Sequence, residues 1–296
     1  MGANLKEVRE RITSINSTQQ ITKAMKMVSA AKLKKAQEGI TQMRPYAKKL
    51  QEILGNILSN TEGDQVGSFG VERDVNRMAV IVVTSSRGLC GAFNNNIIKS
   101  TIQHLEENHQ EHLKHGKVDF LCIGKKGADY LKKRYTDGYF YKDYISLIEK
   151  YDYESIKALG EYLMRSFSDG TYDLVEVVYG QFKNAALQIP TIEQYLPVEK
   201  LEEEGASETK ADYIFEPNQD ELLNELVPKI LISQLQRYIL DTSASEHGAR
   251  MTAMDQATEN ANDLIKELKI TYNKARQEAI TKEISEIVGG AAALEG

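Results

Sequence analysis

The chain has 296 residues, 41% hydrophobic and 27% charged, with a formal net charge of -6. That is the composition of a soluble globular protein with room for one large or two ordinary domains, and it argues against a general affinity for nucleic acid. Cys90 and Cys122 are too few for a disulfide framework, and with no apolar signal core, no long apolar run and Lys6 breaking the myristoylation pattern, membrane attachment is expected only through another protein.

Asn4 with Glu7 forms a capping box, and Leu5, Val8, Ile12 and Ile15 recur behind it at spacings of three and four. After a polar interruption at Thr18 to Gln20, the pattern is expected to resume at Ile21, Met25 and Val28. Leu33, Ala36, Ile40, Met43, Leu50, Ile53 and Ile57 then carry it to about Leu58. The spacing predicts a helical rod of roughly 80 Å, kinked or briefly broken at Pro45. Residues 1–58 hold 11 Lys and Arg against 4 Asp and Glu, a balance of +7 that leaves -13 for the remainder. The basic positions Arg9, Arg11, Lys23, Lys26, Lys32, Lys34 and Lys35 allow three readings: a solvated helix face, a nucleic-acid surface, or a track facing acidic protein loops. For nucleic acid, the rod lacks stacking platforms, since Tyr46 is its one aromatic.

Asn60 to Asn76, rich in Gly, Ser and Asp, marks a boundary. Beyond it, the unbroken apolar run Ala79 to Val83 predicts a buried strand, and further strands are expected at Val118 to Ile123 and Leu174 to Tyr179. Helices are expected at Asn95 to Glu107, Lys125 to Arg134 and Tyr153 to Phe167. Alternating strands and helices indicate a largely parallel sheet. Ala185 to Pro197 and Asp212 to Phe215 read as closing strands around an acidic loop, Glu199 to Glu208.

From about Lys229 to Val288 the chain has no proline and a single glycine, Gly248. Asn218 with Glu221, after Pro217, is the expected cap, Pro228 an allowed kink, and Gly289-Gly290 the expected end. A helix of that length spans roughly 90 Å, against a radius of gyration of about 19 Å for a compact chain of this size, so it must protrude. Met254, Ala257, Ala261, Leu264, Leu268, Ala275 and Ala279 form the expected apolar seam, with Thr271 or Tyr272 filling its seven-residue gap. The two rods match in length. The expected fold is therefore a long antiparallel coiled coil of the N- and C-terminal helices with a central, mostly parallel α/β domain, divided as residues 1–58, 77–216 and 217–296.

Candidate chemistry is sparse. Thr84 to Gly91 is a glycine-containing turn leading toward a helix, where α/β folds bind phosphates, but it lacks both the Gly-x-Gly-x-x-Gly pattern and a following Lys-[Ser/Thr]. A structural or contact loop is the competing reading. His109, His112 and His115 drift around a helix at three residues per step and read as a polar helix end rather than a metal site. The tyrosines from Tyr130 to Tyr153 read as core and rim packing. No paired carboxylates, Ser/His/Asp arrangement or Cys-x-x-Cys motif stands out, and neither a cofactor nor a metal is expected.

Three stretches carry a resemblance. Ile12-Thr13-Ser14 through Thr18, Ile21-Thr22-Lys23-Ala24-Met25-Lys26-Met27-Val28 and Lys32 resemble the N-terminal signature of the gamma subunits of F-type ATP synthases of bacterial type. Ser245-Glu246, Ala249-Arg250-Met251, Ala253-Met254, Ala257-Thr258, Asn260-Ala261, Tyr272-Asn273, Arg276-Gln277, Ile280-Thr281 and Glu286 to Ala291 resemble the C-terminal one. Arg87-Gly88-Leu89-Cys90-Gly91 with Asn94 resembles the central motif. The resemblance spans nearly the whole chain.

It implies a central rotor shaft without an active site of its own, coupling proton-driven rotation of a membrane ring to sequential changes in catalytic beta subunits. The implied partners are the alpha and beta subunits of the hexamer, the epsilon subunit and the ring of c subunits. The implied place is the cytoplasmic side of the cell membrane, held peripherally. Carried over by position, Arg276 and Gln277 match residues that hydrogen-bond a catch loop of beta. Met25, Lys26, Arg87 and Cys90 match the region facing its acidic lever, and Tyr213 and Glu216 match contacts to the ring. The tip at Ala291 to Leu294 resembles an end turning in an apolar sleeve. Ser86 stands where the family commonly has Asp, Ala92-Phe93 where Gly-Leu is usual, and the dithiol insert of chloroplast members is absent. A reading from another class, a coiled-coil scaffold whose α/β domain binds a small nucleotide, would show itself by ligand-induced stabilisation of the chain alone.

Overall fold

The computed structural model describes residues 5–59, 69–149, 151–198 and 219–295. Two helices dominate it, α1 (Leu5–Ser59) and α6 (Gln219–Glu295), of 55 and 77 residues. Pro45 lies inside α1 without ending it. Ile40, Met43 and Leu50 stay buried on either side, and that packing outweighs one missing backbone bond. Gly289 and Gly290 do not end α6, which runs on to Glu295. Glycine costs a helix interior about 1 kcal/mol, too little to stop one already propagated over many turns. The caps at Asn4 and Asn218, the strand Asp212 to Phe215, the loop Glu199 to Glu208, and most of the loop after α1 lie outside the described residues.

The chain forms two compact units. The first, Met1–Ser29 with Met251–Gly296, is a two-helix coiled coil. Its cross-helix pairs run in opposite senses along the chain: Arg9 with Tyr272, Gln19 with Asn262, Thr22 with Thr258 and Lys26 with Asp255. The helices are therefore antiparallel. On α1 the sheltered positions include Leu5, Val8, Ile12, Ile15, Gln19, Thr22, Lys26 and Ser29, with Asn16 and Met25 half-buried beside them. On α6 they include Met254, Thr258, Ala261, Ile265, Leu268, Tyr272, Ala275 and Ala279. Both series alternate steps of three and four without a break, as a left-handed coiled coil requires.

This corrects the seam expected from apolar spacing. Ile265 is 7% exposed, whereas Leu264 is 47% exposed; Ile21 and Val28 likewise face outward, and the polar Gln19, Thr22, Lys26 and Ser29 hold the seam between them. The phase of the superhelix fixes which positions face the partner. A polar side chain tolerates such a position when its opposite number satisfies it, as Thr22 Oγ1 and Thr258 Oγ1 do at 2.8 Å.

The second unit, Ala30–Arg250, is built on a five-stranded sheet of order β3-β2-β1-β4-β5. Its strands are β1 (Met78–Val83), β2 (Val118–Ile123), β3 (Tyr139–Tyr141), β4 (Leu174–Phe182) and β5 (Gln188–Leu196). All pairs are parallel except β4 with β5. Every residue of β1 and β2 is buried, which is why their sequences are nearly continuous apolar runs. Between them lie α2 (Phe93–Asn108), α3 (Gln110–Lys114), α4 (Lys125–Arg134) and α5 (Tyr153–Ser168). One face packs Ala79, Ile81 and Val83 with Ile156, Leu159 and Phe167 of α5 and Leu231, Leu235 and Ile239 of α6. The other packs Val80, Val82 and Phe120 with Phe93, Ile97 and Leu105 of α2 and Leu131 of α4. The edge strand β3 was not expected, being three residues long with Tyr139 exposed. Its Tyr141 begins a hydrogen-bond chain through the Tyr172 hydroxyl to the buried Asp119 carboxylate, which Arg77 also holds at 2.9 Å.

Candidate functional site

The loop between β1 and α2 is folded onto itself. Asn94, in the first turn of α2, accepts from the Ser85 amide at 3.0 Å and donates to Ser85 Oγ and Cys90 Sγ at 2.7 and 3.2 Å. These side chains are buried, so the polar groups at this helix start turn inward to each other rather than outward to a phosphate. Leu89 has φ of 63°, in the left-handed region, and its side chain is exposed.

Arg250 of α6 fixes that loop from behind. Its guanidinium donates to the backbone carbonyls of Arg87 and Gly88 at 3.2–3.3 Å and to Glu246 Oε1 at 2.7 Å. Arg250 and Glu246 are both more than nine-tenths buried. Breaking a buried pair by removing one partner costs about 3–5 kcal/mol, so this clamp is a strong determinant of loop shape. The result is a rigid loop that presents Arg87 outward, within 3.6 Å of Glu149, while Cys90 is sealed beneath it.

In the coiled coil, Met25 and Lys26 are half-buried, and Lys26 Nζ is ion-paired with Asp255 at 2.5 Å. Arg276 and Gln277 are exposed neighbours on α6. Outward-facing apolar residues flank both positions: Ile21, Met27 and Val28 on α1, Ile270, Ile280 and Ile284 on α6. Residues 280–291 of α6 are exposed on every side. Tyr213 and Glu216 lie outside the described residues.

The profile of the family described as ATP synthase matches residues 4–294. The ATP synthase gamma chain of Cytophaga hutchinsonii is 51% identical over 98% of this chain and 99% of that protein. The chain belongs to the ATP synthase gamma-chain family. The gamma chain of Flavobacterium johnsoniae is 50% identical over 99% of this chain and its own whole length. Among solved structures, the fold matches a chain of the Euglena gracilis mitochondrial ATP synthase OSCP/F1/c-ring assembly with a TM-score of 0.64, at 19% identity over 98% of this chain and 94% of that one. The chain is thus a gamma-family chain, built as a coiled coil with a central α/β domain.

One cluster escaped the sequence reading. His104 Nε2 of α2 lies 2.8 Å from Glu176 Oε2 of β4, and His109 Nε2 lies 3.4 Å from Glu176 Oε1. Burial alone would raise the Glu176 carboxyl, but hydrogen bonds from His109 and His104 outweigh it and hold the group below its ordinary value. Of the three histidines singled out by spacing, His109 joins this cluster, His112 Nε2 donates to the Val75 carbonyl at 2.8 Å, and His115 is exposed. His104 and Glu176 are 72 residues apart, so only the pairing of α2 with β4 brings them together.

Proposed function

We propose that this chain is the central shaft of an F-type ATP synthase, turning inside a hexamer of alpha and beta subunits and coupling proton-driven rotation of a c ring to ATP synthesis. The observation that carries the proposal is the coiled coil of a gamma-family chain whose seam is closed and whose outer surface still exposes Ile21, Met27, Val28, Ile270, Ile280 and Ile284. Such a rod has its own partner helix and yet leaves apolar surface for an enveloping one. A shaft that binds three like subunits with different free energies at each angle shifts each one's conformational population in turn.

Within this reading the domains act as residues 1–58 and 217–296 for the shaft and 77–216 for its foot. Arg276 and Gln277 engage a catch loop of beta. Met25 and Lys26 in the coiled coil, and Arg87 in its loop, face acidic groups of beta, with Cys90 holding the loop's shape. Tyr213 and Glu216 contact the ring, and the epsilon subunit binds beside it. The exposed helix end beyond Ala279, two glycines included, suits an apolar sleeve in which non-directional contact limits friction. No described helix is long and apolar enough to cross a membrane, and the chain is held peripherally on the cytoplasmic side by its partners.

The test is a tagged pull-down from gently solubilised cells. Two larger subunits in equal amounts, with magnesium-dependent ATPase activity in the eluate, are expected. A chain recovered alone or as a homo-oligomer that retains nucleotide would favour the scaffold reading instead.

A further inference from the structure

Among the described residues, His104, His109 and Glu176 bring three ligand atoms within 4.8 Å of one another. In one continuous helix, side chains five residues apart point about 140° away from each other. Here α2 ends at Asn108, and His109, with φ of -129° and ψ of 28°, interrupts the helical path before α3 begins. That interruption lets His109 turn to the same carboxylate as His104.

We propose that His104, His109 and Glu176 form a Zn2+ site that ties the junction of α2 and α3 to β4. Two imidazoles and a carboxylate are a zinc donor set, and water supplies the fourth ligand. A tetrahedral ion at 2.0–2.1 Å needs its ligand atoms about 3.4 Å apart. The existing 2.8 and 3.4 Å separations come close to this, so small side-chain rotations open the space. Solvent reaches the rim, since the His104 and His109 side chains are 18% and 14% exposed. A supporting contact is present too: Asn108 Nδ2 lies 3.0 Å from His104 Nδ1. With Nε2 on the ion, Nδ1 carries the proton, and rotation of the Asn108 amide presents its oxygen as the acceptor that fixes the ring. The ion replaces the protons now shared between imidazole and carboxylate, so binding weakens on acidification.

The test is equilibrium dialysis of the chelator-treated full-length chain against Zn2+. One equivalent is expected to bind, with affinity reduced by more than about 100-fold in His104→Gln and in Glu176→Gln, beyond the roughly 10–100-fold that losing a supporting contact alone produces. His115→Ala, which alters an exposed histidine, is expected to bind as the parent does. Co2+ added to the unmutated chain should give the intense visible bands of a four-coordinate ion and lose them on addition of Zn2+, a readout that needs no variant to fold. Absence of a stoichiometric equivalent, six-coordinate Co2+ bands only, or full binding by folded Glu176→Gln would each overturn the assignment and leave the cluster as hydrogen-bonded histidines.

Discussion

His247 and Asp241, six residues apart on α6, are displaced by burial in opposite directions. Burial, then Arg250 and Lys32, press the His247 imidazole down to about 4. Burial lifts the Asp241 carboxyl to about 6, against Arg237 and Arg44 and with help from Glu193. The unfolded chain binds the histidine proton more readily, so acidification from the ordinary imidazole value toward pH 4 removes stability. The folded chain binds the aspartate proton more readily, so acidification from pH 6 toward the ordinary carboxyl value adds stability. Over the shared window the two slopes, each up to about 1.4 kcal/mol per pH unit, nearly cancel. Asp241→Asn should therefore lose stability faster than the parent as pH falls from 6.5 to 4, by about 2 kcal/mol in total, and His247→Gln should lose it more slowly. Urea unfolding at stepped pH measures both, and curves parallel to the parent's would show that neither group changes its proton affinity on folding. The sequence offered no hint of this pair. Neither residue belongs to a motif, and their proton affinities depend on burial and on Lys32 and Arg44 of α1 and Glu193 of β5, which no local window contains.

Within the long helices, the polar layers separate register from stability. Thr22 and Thr258 meet across the seam, and Thr258 also donates to the Met254 carbonyl. Thr22→Val removes one partner, leaving Thr258 its backbone bond, and should destabilise the full chain by about 1 kcal/mol. The double replacement by Val exchanges a polar layer for an apolar one and should recover that loss or exceed it, because polar seam residues specify register at a cost in stability. A double-mutant cycle of unfolding free energies decides the matter, and additive effects would mean that the pair is not coupled. These layers are also where apolar periodicity misled. Ile21 and Val28 suggested one phase and the coiled coil adopted another, because three- and four-residue steps can be counted from any apolar residue while the superhelix keeps a single phase. Strand β2 and helix α4 were legible to the residue and β1 to within one, at Met78, since full burial on two faces or a strong charge boundary leaves little choice. Strand β3 was not, because a three-residue edge strand is defined by its neighbour more than by its own side chains.

For the whole molecule, the proposed shaft must distinguish three like partners with one rotating surface. Arg276 is exposed on α6, in a stretch where Ala275 on the seam meets α1 and the neighbouring faces are open. Its planar fork suits two parallel bonds to a carboxylate, which a lysine cannot supply. A charge-assisted hydrogen bond made in one angular state and absent in the others favours that state by about 1.5–3 kcal/mol, equivalent to roughly tenfold or more in its population. Arg276→Ala should thus leave the chain's own unfolding unchanged while lowering ATP synthesis by reconstituted complexes in energised vesicles several-fold. Arg276→Lys should restore only part of the loss, and Lys274→Ala, which removes an equal charge one residue away from Ala275, should have little effect. Synthesis rates for Arg276→Ala equal to the parent's would remove Arg276 from the coupling contact, and equal losses in the arginine and lysine variants would point to rod charge rather than to a fork-shaped bond.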